Sequence, residues 1–253
     1  MKANPCSLLA ALILVATLPL AAAASERADE LAKTLAAGDR SAAEKGRDAG
    51  RKPGEIVAFL GIEPGMTVVD LIAAGGYYTE VLSVAVGKDG KVIAQNPPSV
   101  LKMRDGANDE AMTARLADGR LSNVERVDQN LSEAGLAPAS ADAALTALNF
   151  HDIYNGRGVE AAAAFLAAVY SVLKPGGVLG IVDHHGNVDA DNEKLHRIPE
   201  EQVRAAVGAS SFELEASSDA LRNPADDRTL NVFDEKIRGK TDRFVLLLRK
   251  PAS

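Results

Sequence analysis

MTVVDLIAAGGYYTE, residues 66–80, is the stretch that decides the fold of this chain. Its first part, residues 67–72, is a short apolar run with β-branched residues that follows a Pro-Gly pair, which predicts a buried strand. Gly75 and Gly76 then predict a tight turn, and a helix is expected to begin near Tyr77. Asp70 lies within the apolar run, where a carboxylate is costly to bury unless something hydrogen-bonds to it. The stretch therefore predicts a strand–turn–helix unit with a ligand site at its turn.

Further strands are predicted at regular intervals after this unit, and most are separated by helical segments. Apolar runs bounded by turn residues indicate strands at residues 91–95, 124–128, 143–148 and 178–182, and later at 212–217 and 243–248. Alternating strands and helices predict an α/β fold with a Rossmann-like, doubly wound sheet. We expect this sheet to be mostly parallel, with an antiparallel C-terminal strand. Ligands then belong at the carboxyl ends of the strands.

A long polar connection, residues 223–242, precedes the last predicted strand. Connections of this length without regular structure are usually functional or mobile. We therefore expect the connection to lie over the ligand site as a lid.

The N-terminus predicts a division of the chain into three parts. Residues 1–24 combine an early lysine, an apolar segment and a run of small residues, which is the pattern of a secretory signal with cleavage near Ala24. Residues 25–52 are rich in Ala and charged residues and predict a helical arm, exposed or loose, and residues 53–253 form the main domain. An uncleaved membrane anchor is the alternative, although the apolar segment is shorter than the roughly 20 residues that span a bilayer. The protein is thus expected to be exported, to the periplasm, without stable membrane insertion after cleavage.

Composition excludes several classes of function. The only cysteine, Cys6, lies in the predicted signal, so the mature chain has no thiol for catalysis, disulfides or metal binding. The formal net charge of −7 disfavours a nucleic-acid partner, which would require a basic face. A small-molecule substrate is expected, and the oligomeric state is left open.

Two motifs carry a resemblance to a known superfamily. VVDLIAAGG, residues 68–76, resembles the first motif of class I S-adenosylmethionine-dependent methyltransferases, and LKPGG, residues 173–177, resembles the turn before their fifth strand. The resemblance covers most of residues 53–249. Within the superfamily, GGYYTE (75–80) and NFHD (149–152) are similar to a group of exported, predicted methyltransferases.

The resemblance implies a set of residues that contact S-adenosylmethionine. Asp70 and the backbone of the turn, at Ala73, Gly75 and Gly76, would hold the amino-acid end of the cofactor. The remaining positions follow later strands: Asn96 takes the place of the usual ribose-binding acid, Asp128 the adenine side, and Asn149 the side of the reacting methyl group. The alternative for each is a polar residue that caps a turn or a strand end.

Histidines supply the candidates for chemistry. His151 is the candidate general base, with Asp152 orienting it, although a histidine satisfied by a loop carbonyl is the alternative. Asp183 and His184 follow the fifth strand and are expected on the same rim as His151. Such a cluster would suit zinc or another transition ion, but no spacing signature supports it, so the sequence assigns no metal ligands.

The sequence therefore predicts an S-adenosylmethionine-dependent methyltransferase that acts on an unidentified small acceptor. The alternative is a non-catalytic small-ligand-binding protein of the cell envelope that keeps the methyltransferase fold. A metal-dependent hydrolase is a more distant alternative. An NAD-dependent dehydrogenase is disfavoured because the Gly-x-Gly-x-x-Gly pattern is missing after the first strand.

Overall fold

The computed structural model describes residues 18–252, in which ten α-helices surround one seven-stranded sheet. The strands are β1 (Thr67–Leu71), β2 (Lys91–Gln95), β3 (Val124–Val127), β4 (Ala141–Ala147), β5 (Leu173–His184), β6 (Glu213–Ser218) and β7 (Arg243–Arg249). The helices are α1 (Leu18–Ala37), α2 (Ala42–Arg51), α3 (Pro53–Phe59), α4 (Tyr77–Val86), α5 (Pro98–Leu101), α6 (Ala107–Leu116), α7 (Phe150–Arg157), α8 (Val159–Val172), α9 (Asn192–Leu195) and α10 (Glu200–Gly208).

The sheet has the strand order β3-β2-β1-β4-β5-β7-β6. The first five strands pair in parallel, whereas β7 runs antiparallel to both β5 and β6. The predicted α/β class and the mostly parallel sheet with an antiparallel C-terminal strand are thus confirmed. The order reverses at β1, which pairs with β2 on one side and β4 on the other, and ligands bind at such a switch point in open α/β sheets.

Both faces of the sheet are covered by apolar side chains, as a parallel sheet requires. On one face, Val69 and Leu71 of β1 pack in a cluster with residues of α7, α8 and α10. On the other, Val68 packs in a second cluster with residues of α1, α3 and α4. Alternate side chains of β1 therefore pack on opposite faces of the sheet. Asp70 lies near the end of this strand, which is buried on both sides.

The predicted Lys-Pro-Gly-Gly turn lies within β5 as an insertion in its pairing with β4. Ala141 pairs with Leu173 and Ala143 with Val178, so four residues of β5 stand opposite Asp142 alone. Gly176 has a φ of 79°, which glycine adopts without strain. The insertion thus shifts the register before the straight part of β5 begins at Val178.

The N-terminal arm is helical as expected, but it is packed on the domain rather than loose. Leu31 and Leu35 of α1 are buried in the same cluster as α3 and α4. Gly54 of α3 permits this contact, because a Cβ there would lie 2.3 Å from the carbonyl oxygen of Ala28. The two leucines are four residues apart, which places them on one face of the helix. The sequence did not predict that this face is buried, because the segment has few large apolar residues.

The predicted signal segment lies mainly outside the described residues, and Cys6 lies wholly outside them. Residues 18–24, which include the expected cleavage site at Ala24, belong to the start of α1. Within residues 18–252, no helix has both the length and the apolar composition that a bilayer span requires.

Candidate functional site

A cavity of about 830 Å³ opens at the carboxyl ends of β1, β2 and β4. Its size falls in the range of roughly 300–1,000 Å³ that is typical of small-molecule sites. Its walls come from the turn after β1, the end of β2, helices α2, α6, α7 and α8, and two residues of the long connection, Val232 and Phe233. The cavity therefore lies where the strand order predicts a ligand site.

Asp70 is the buried carboxylate of this cavity. Its side chain is 3% exposed and accepts a hydrogen bond of 2.6 Å from the Thr79 hydroxyl of α4. Burial raises the pKa of Asp70 to about 7, and the Thr79 hydroxyl opposes this shift. A cationic group of a ligand beside Asp70 would favour the ionised form.

The turn after β1 has a strained backbone that is held by hydrogen bonds within the protein. Ile72 and Ala74 have φ values of 55° and 50°, a left-handed conformation that is uncommon for residues with a Cβ. The amide of Ala73 donates to the carbonyl oxygen of Gln95 at 3.0 Å, and the amide of Gly76 donates to the carbonyl oxygen of Ala73 at 2.9 Å. These two amides are therefore already paired within the protein, and the contact of this backbone with a cofactor stays a prediction.

The two predicted glycines have different roles. Gly75 lines the cavity, and a Cβ there would lie 3.0 Å from the Ala111 Cβ of α6. Gly76 has a φ of 82° and is the N-cap of α4, and a Cβ there would lie 2.9 Å from the side chain of Arg115. Gly75 thus keeps the cavity open, whereas Gly76 makes the turn possible.

The side chain of Asn96 binds the turn and does not line the cavity. Its Oδ1 accepts from the amide of Ala74 at 2.7 Å, and its Nδ2 donates to the carbonyl oxygen of the same residue at 3.1 Å. The preceding residue, Gln95, lines the cavity instead, because successive side chains of a strand point to opposite faces. The ribose contact predicted for Asn96 stays a prediction that this placement does not favour.

Asp128 lies away from the cavity, whereas Asn149 lines it. Asp128 is exposed and pairs with Arg126 of β3 at 2.8 Å, so its predicted adenine contact is likewise not favoured by its placement. Asn130 and Leu131, which follow it, line the cavity. Asn149 donates to the carbonyl oxygens of Ala147 and Ile72 at 2.8 and 3.2 Å, which ties the end of β4 to the turn.

His151 and Asp183 form a buried pair at the ends of β4 and β5. The Nδ1 of His151 lies 2.7 Å from the Oδ1 of Asp183, and the backbone amide of His151 donates to Oδ2 at 2.8 Å. Burial favours the neutral ring, but the charge of Asp183 and the hydrogen bonds of Asp152 and Asp183 outweigh it and raise the pKa of His151 to about 10. This shift favours the protonated ring at neutral pH, so the predicted role of His151 as a general base stays a prediction that its surroundings do not favour.

Two further histidines surround this pair. His184 also lines the cavity, and burial together with the charge of Arg243 holds its pKa well below the usual range, so its ring is neutral. The Nδ1 of His196, just after α9, lies 3.2 Å from the Oδ1 of Asp152. The sequence predicted that Asp183, His184 and His151 lie close together, as they do in the structure. It contained no motif that would have pointed to His196.

Helix α2 supplies cavity residues that the sequence did not reveal. Glu44, Arg47 and Arg51 line the cavity, and the guanidinium of Arg51 lies 4.4 Å from the ring centroid of Tyr77. The helix is held by Asp48, which accepts a hydrogen bond of 2.6 Å from the Tyr77 hydroxyl. The N-terminal arm is therefore part of the candidate site.

The long connection contributes Val232 and Phe233 to the wall of the cavity, and its role as a lid stays a prediction. Asp226 of the connection pairs with Arg197 through two contacts of 2.9 and 3.1 Å, and both side chains are buried. The amide of Val232 donates to the carbonyl oxygen of Leu195 at 3.2 Å, which brings Phe233 to the ring of His196. These contacts hold the connection in one arrangement.

Comparison with known proteins places this fold among methyltransferase structures. No protein-family model matches the chain, and a search of curated protein sequences found no match. Among solved structures, a SAM-dependent methyltransferase from Aquifex aeolicus is 19% identical, with a TM-score of 0.60 over 88% of this chain and 98% of its own. The [4+2]-cyclase SpnF is 15% identical, with a TM-score of 0.61 over 90% and 94%. The chain thus has the Rossmann-like fold found in methyltransferases, and SpnF, a [4+2]-cyclase, has a similar fold.

Proposed function

We propose that the chain is an S-adenosylmethionine-dependent methyltransferase that acts on a small acceptor. The observation that carries the proposal is the cavity at the β1 switch point, which places a buried carboxylate, Asp70, beside a glycine turn on a methyltransferase-type sheet. S-adenosylmethionine is the cofactor that the structural neighbours support. Export, expected from residues 1–24, belongs to the same proposal and rests on the sequence.

The residues that line the cavity fit this cofactor. Asp70 suits the ammonium group of its amino-acid end, and Arg47 and Arg51 of α2 suit the carboxylate. Ile72 and Leu131 offer apolar contact for the adenine ring. The cavity therefore provides groups of the right chemistry for the charged and apolar parts of the cofactor.

When bound, S-adenosylmethionine supplies an activated methyl group, so the protein's task is alignment and exclusion of water. The two histidines that line the cavity, His151 and His184, would have different roles towards the acceptor. His151, held as imidazolium by Asp183, can donate a hydrogen bond to an acceptor oxygen. His184 is neutral and is the one of the two that can accept a proton. The acceptor is thus expected beside α7 and the end of β5.

Calorimetric titration of the purified protein with S-adenosylmethionine and S-adenosylhomocysteine tests the proposal. Ala111 of α6 lines the cavity beside Gly75, so Ala111→Phe is expected to weaken binding by at least about tenfold because its ring would fill space the cofactor needs. Ala114→Phe is the matched control, since Ala114 is exposed on the same helix and outside the cavity lining. Absence of binding to the unmodified protein at millimolar ligand would refute the proposal.

A further inference from the structure

Three potential metal ligands meet beside the cavity: two come from α7, and the third is the residue that follows α9. One ligand atom each of His151, Asp152 and His196 lies within 4.8 Å of the other two. Asp152 Oδ1 is 3.3 Å from the Nε2 of His151 and 3.2 Å from the Nδ1 of His196. Two imidazole nitrogens and one carboxylate oxygen form a donor set that suits zinc and other divalent transition ions. We propose that these three side chains bind such an ion, with Zn²⁺ as the ion to test. The ion would take the place of the proton on the Nε2 of His151, and an acceptor oxygen would then contact the ion instead of that proton.

His151 is oriented as a metal ligand by a second carboxylate. Its Nδ1 is bound to the Oδ1 of the fully buried Asp183 at 2.7 Å, which directs the other ring nitrogen, Nε2, towards Asp152. Asp183 is itself fixed, because it also accepts hydrogen bonds of 2.8 and 2.7 Å from the backbone amides of His151 and His184. Metal-binding histidines regularly have their second nitrogen held by a carboxylate in this way. Asp183 is therefore the positioning residue of the site and not a ligand.

His196 is held in place by its backbone and by an aromatic neighbour. It has φ 54° and ψ 49°, the left-handed conformation, which a non-glycine residue keeps only where the surroundings impose it. The next residue, Arg197, is fully buried and paired with Asp226, and the ring of Phe233 lies 5.0 Å from the His196 ring. The imidazole is thus positioned by the fold, although its side chain is 37% exposed.

The position of the cluster leaves room for a further ligand. His151 and Asp152 both line the cavity, and the side chain of Asp152 is 57% exposed, so an ion can enter from solvent. Three protein ligands leave at least one coordination position for water or for an oxygen of a small molecule. This last step rests on the proposed function: the ion would hold an acceptor with an oxygen donor, such as a hydroxyl or carboxylate, beside the methyl donor. Binding of the ion itself does not depend on it.

Calorimetric titration of Zn²⁺ into the full, untagged protein after removal of metal with EDTA tests the site. We expect one equivalent of Zn²⁺ to bind, and Co²⁺ to bind in its place with the visible absorption of a site of low coordination number. Asp152→Asn and His196→Asn are each expected to weaken Zn²⁺ binding by more than about tenfold. Asparagine is chosen at position 196 because it tolerates the left-handed conformation.

Asp189→Asn is the matched control, because Asp189 is exposed and lies outside the cluster, and its Zn²⁺ affinity is expected to equal that of the unmodified protein. Failure to bind stoichiometric Zn²⁺, or equal affinity in all variants, overturns the site. The titration with S-adenosylmethionine is separate, so loss of one proposal is distinguished from loss of the other. Zn²⁺ binding without cofactor binding would leave a metal site in a protein that is not a methyltransferase.

Discussion

At the scale of single residues, Asp70 is expected to lower stability as the pH rises. Its pKa is about 7 in the folded chain because of burial, against 3.8 for an ordinary aspartate. Between these values the folded state keeps a proton that the unfolded state has lost, so the free energy of unfolding falls as pH rises from about 4 to about 7. The shift sets this loss at up to about 4 kcal/mol, since each pKa unit is worth about 1.4 kcal/mol.

Asp70→Asn is therefore expected to be more stable than the unmodified protein at pH 8, with little difference at pH 4. Urea unfolding at both pH values measures this change. The same variant is expected to bind S-adenosylmethionine more weakly, because an amide cannot pair with an ammonium group as a carboxylate does. Thr79→Val is the companion variant: it removes the hydroxyl bound to Asp70 and should raise its pKa further. Identical pH dependence in the unmodified and Asn proteins would refute the assignment.

The sequence predicted residues whose roles follow from their own strand, and failed where a role depends on a neighbouring element. Asp70 lies near the end of β1 and Gly75 lies in the turn after it, so the position of this strand is enough to place both at the cavity. Asn96 follows β2 equally closely, but its side chain points to the backbone of Ala74, and only the relative position of the two strands decides that. His196 gave no signal because it is 44 positions from Asp152, its contact in the structure.

At the scale of elements, α2 is expected to depend on one ion pair for its position beside the cavity. Arg40, which precedes α2, is 5% exposed and forms two contacts of 2.7 Å with Asp48 of the helix. Asp48 also accepts a hydrogen bond from the hydroxyl of Tyr77, at the start of α4. Asp48→Asn removes the charge that both groups contact, at a cost of about 1.5–3 kcal/mol for each hydrogen bond lost to a charged partner.

The expected result is local undocking of α2, read out as faster tryptic cleavage between residues 40 and 51 and faster amide exchange there. Binding of S-adenosylmethionine should weaken as well, because Arg47 and Arg51 move with the helix. Asp39→Asn is the control: Asp39 is exposed and adjacent to Arg40 in sequence. Unchanged cleavage in Asp48→Asn would show that the apolar contacts of α1 and α3 suffice to hold the arm.

The elements themselves were mostly predictable, because apolar runs and glycine-containing turns mark the strands of a buried parallel sheet. Helix α7 was missed, since it begins directly after β4 and has only eight residues, too few for a clear helical period. The packing of the arm was missed for another reason. Leu31 and Leu35 form a narrow stripe whose burial depends on α3 and α4, and a local pattern does not contain that partner.

At the scale of the whole molecule, one buried ion pair connects the antiparallel end of the sheet to the candidate site. Arg197 binds Asp226, and its guanidinium also donates to the carbonyl oxygens of His185 and Leu230 at 3.0 Å. Asp226 in turn accepts a hydrogen bond of 2.7 Å from the backbone amide of Asp242, the residue just before β7. The connection between β6 and β7 is thus folded around Arg197, which explains why a polar segment of this length is ordered beside the cavity.

Removal of one partner of this pair is expected to be far more costly than removal of an exposed charge. Arg197→Met leaves the Asp226 carboxylate buried without its cation, which should lower the free energy of unfolding by about 3–5 kcal/mol. Lys88→Met is the control: Lys88 contacts Asp89 at 2.8 Å with 86% and 78% of the two side chains exposed, and its loss should cost less than about 1 kcal/mol. Urea unfolding of both variants gives the comparison.

A double variant separates the ion pair from the size of the residues involved. Arg197→Met combined with Asp226→Leu removes both charges, so its destabilisation should be smaller than the sum of the two single changes, and the difference is the coupling within the pair. Zn²⁺ affinity should fall in Arg197→Met as well, because His196 is its neighbour and Phe233 belongs to the segment that the pair anchors. Additive losses would mean that the two charges are not coupled, and unchanged Zn²⁺ binding would mean that the pair does not position the site.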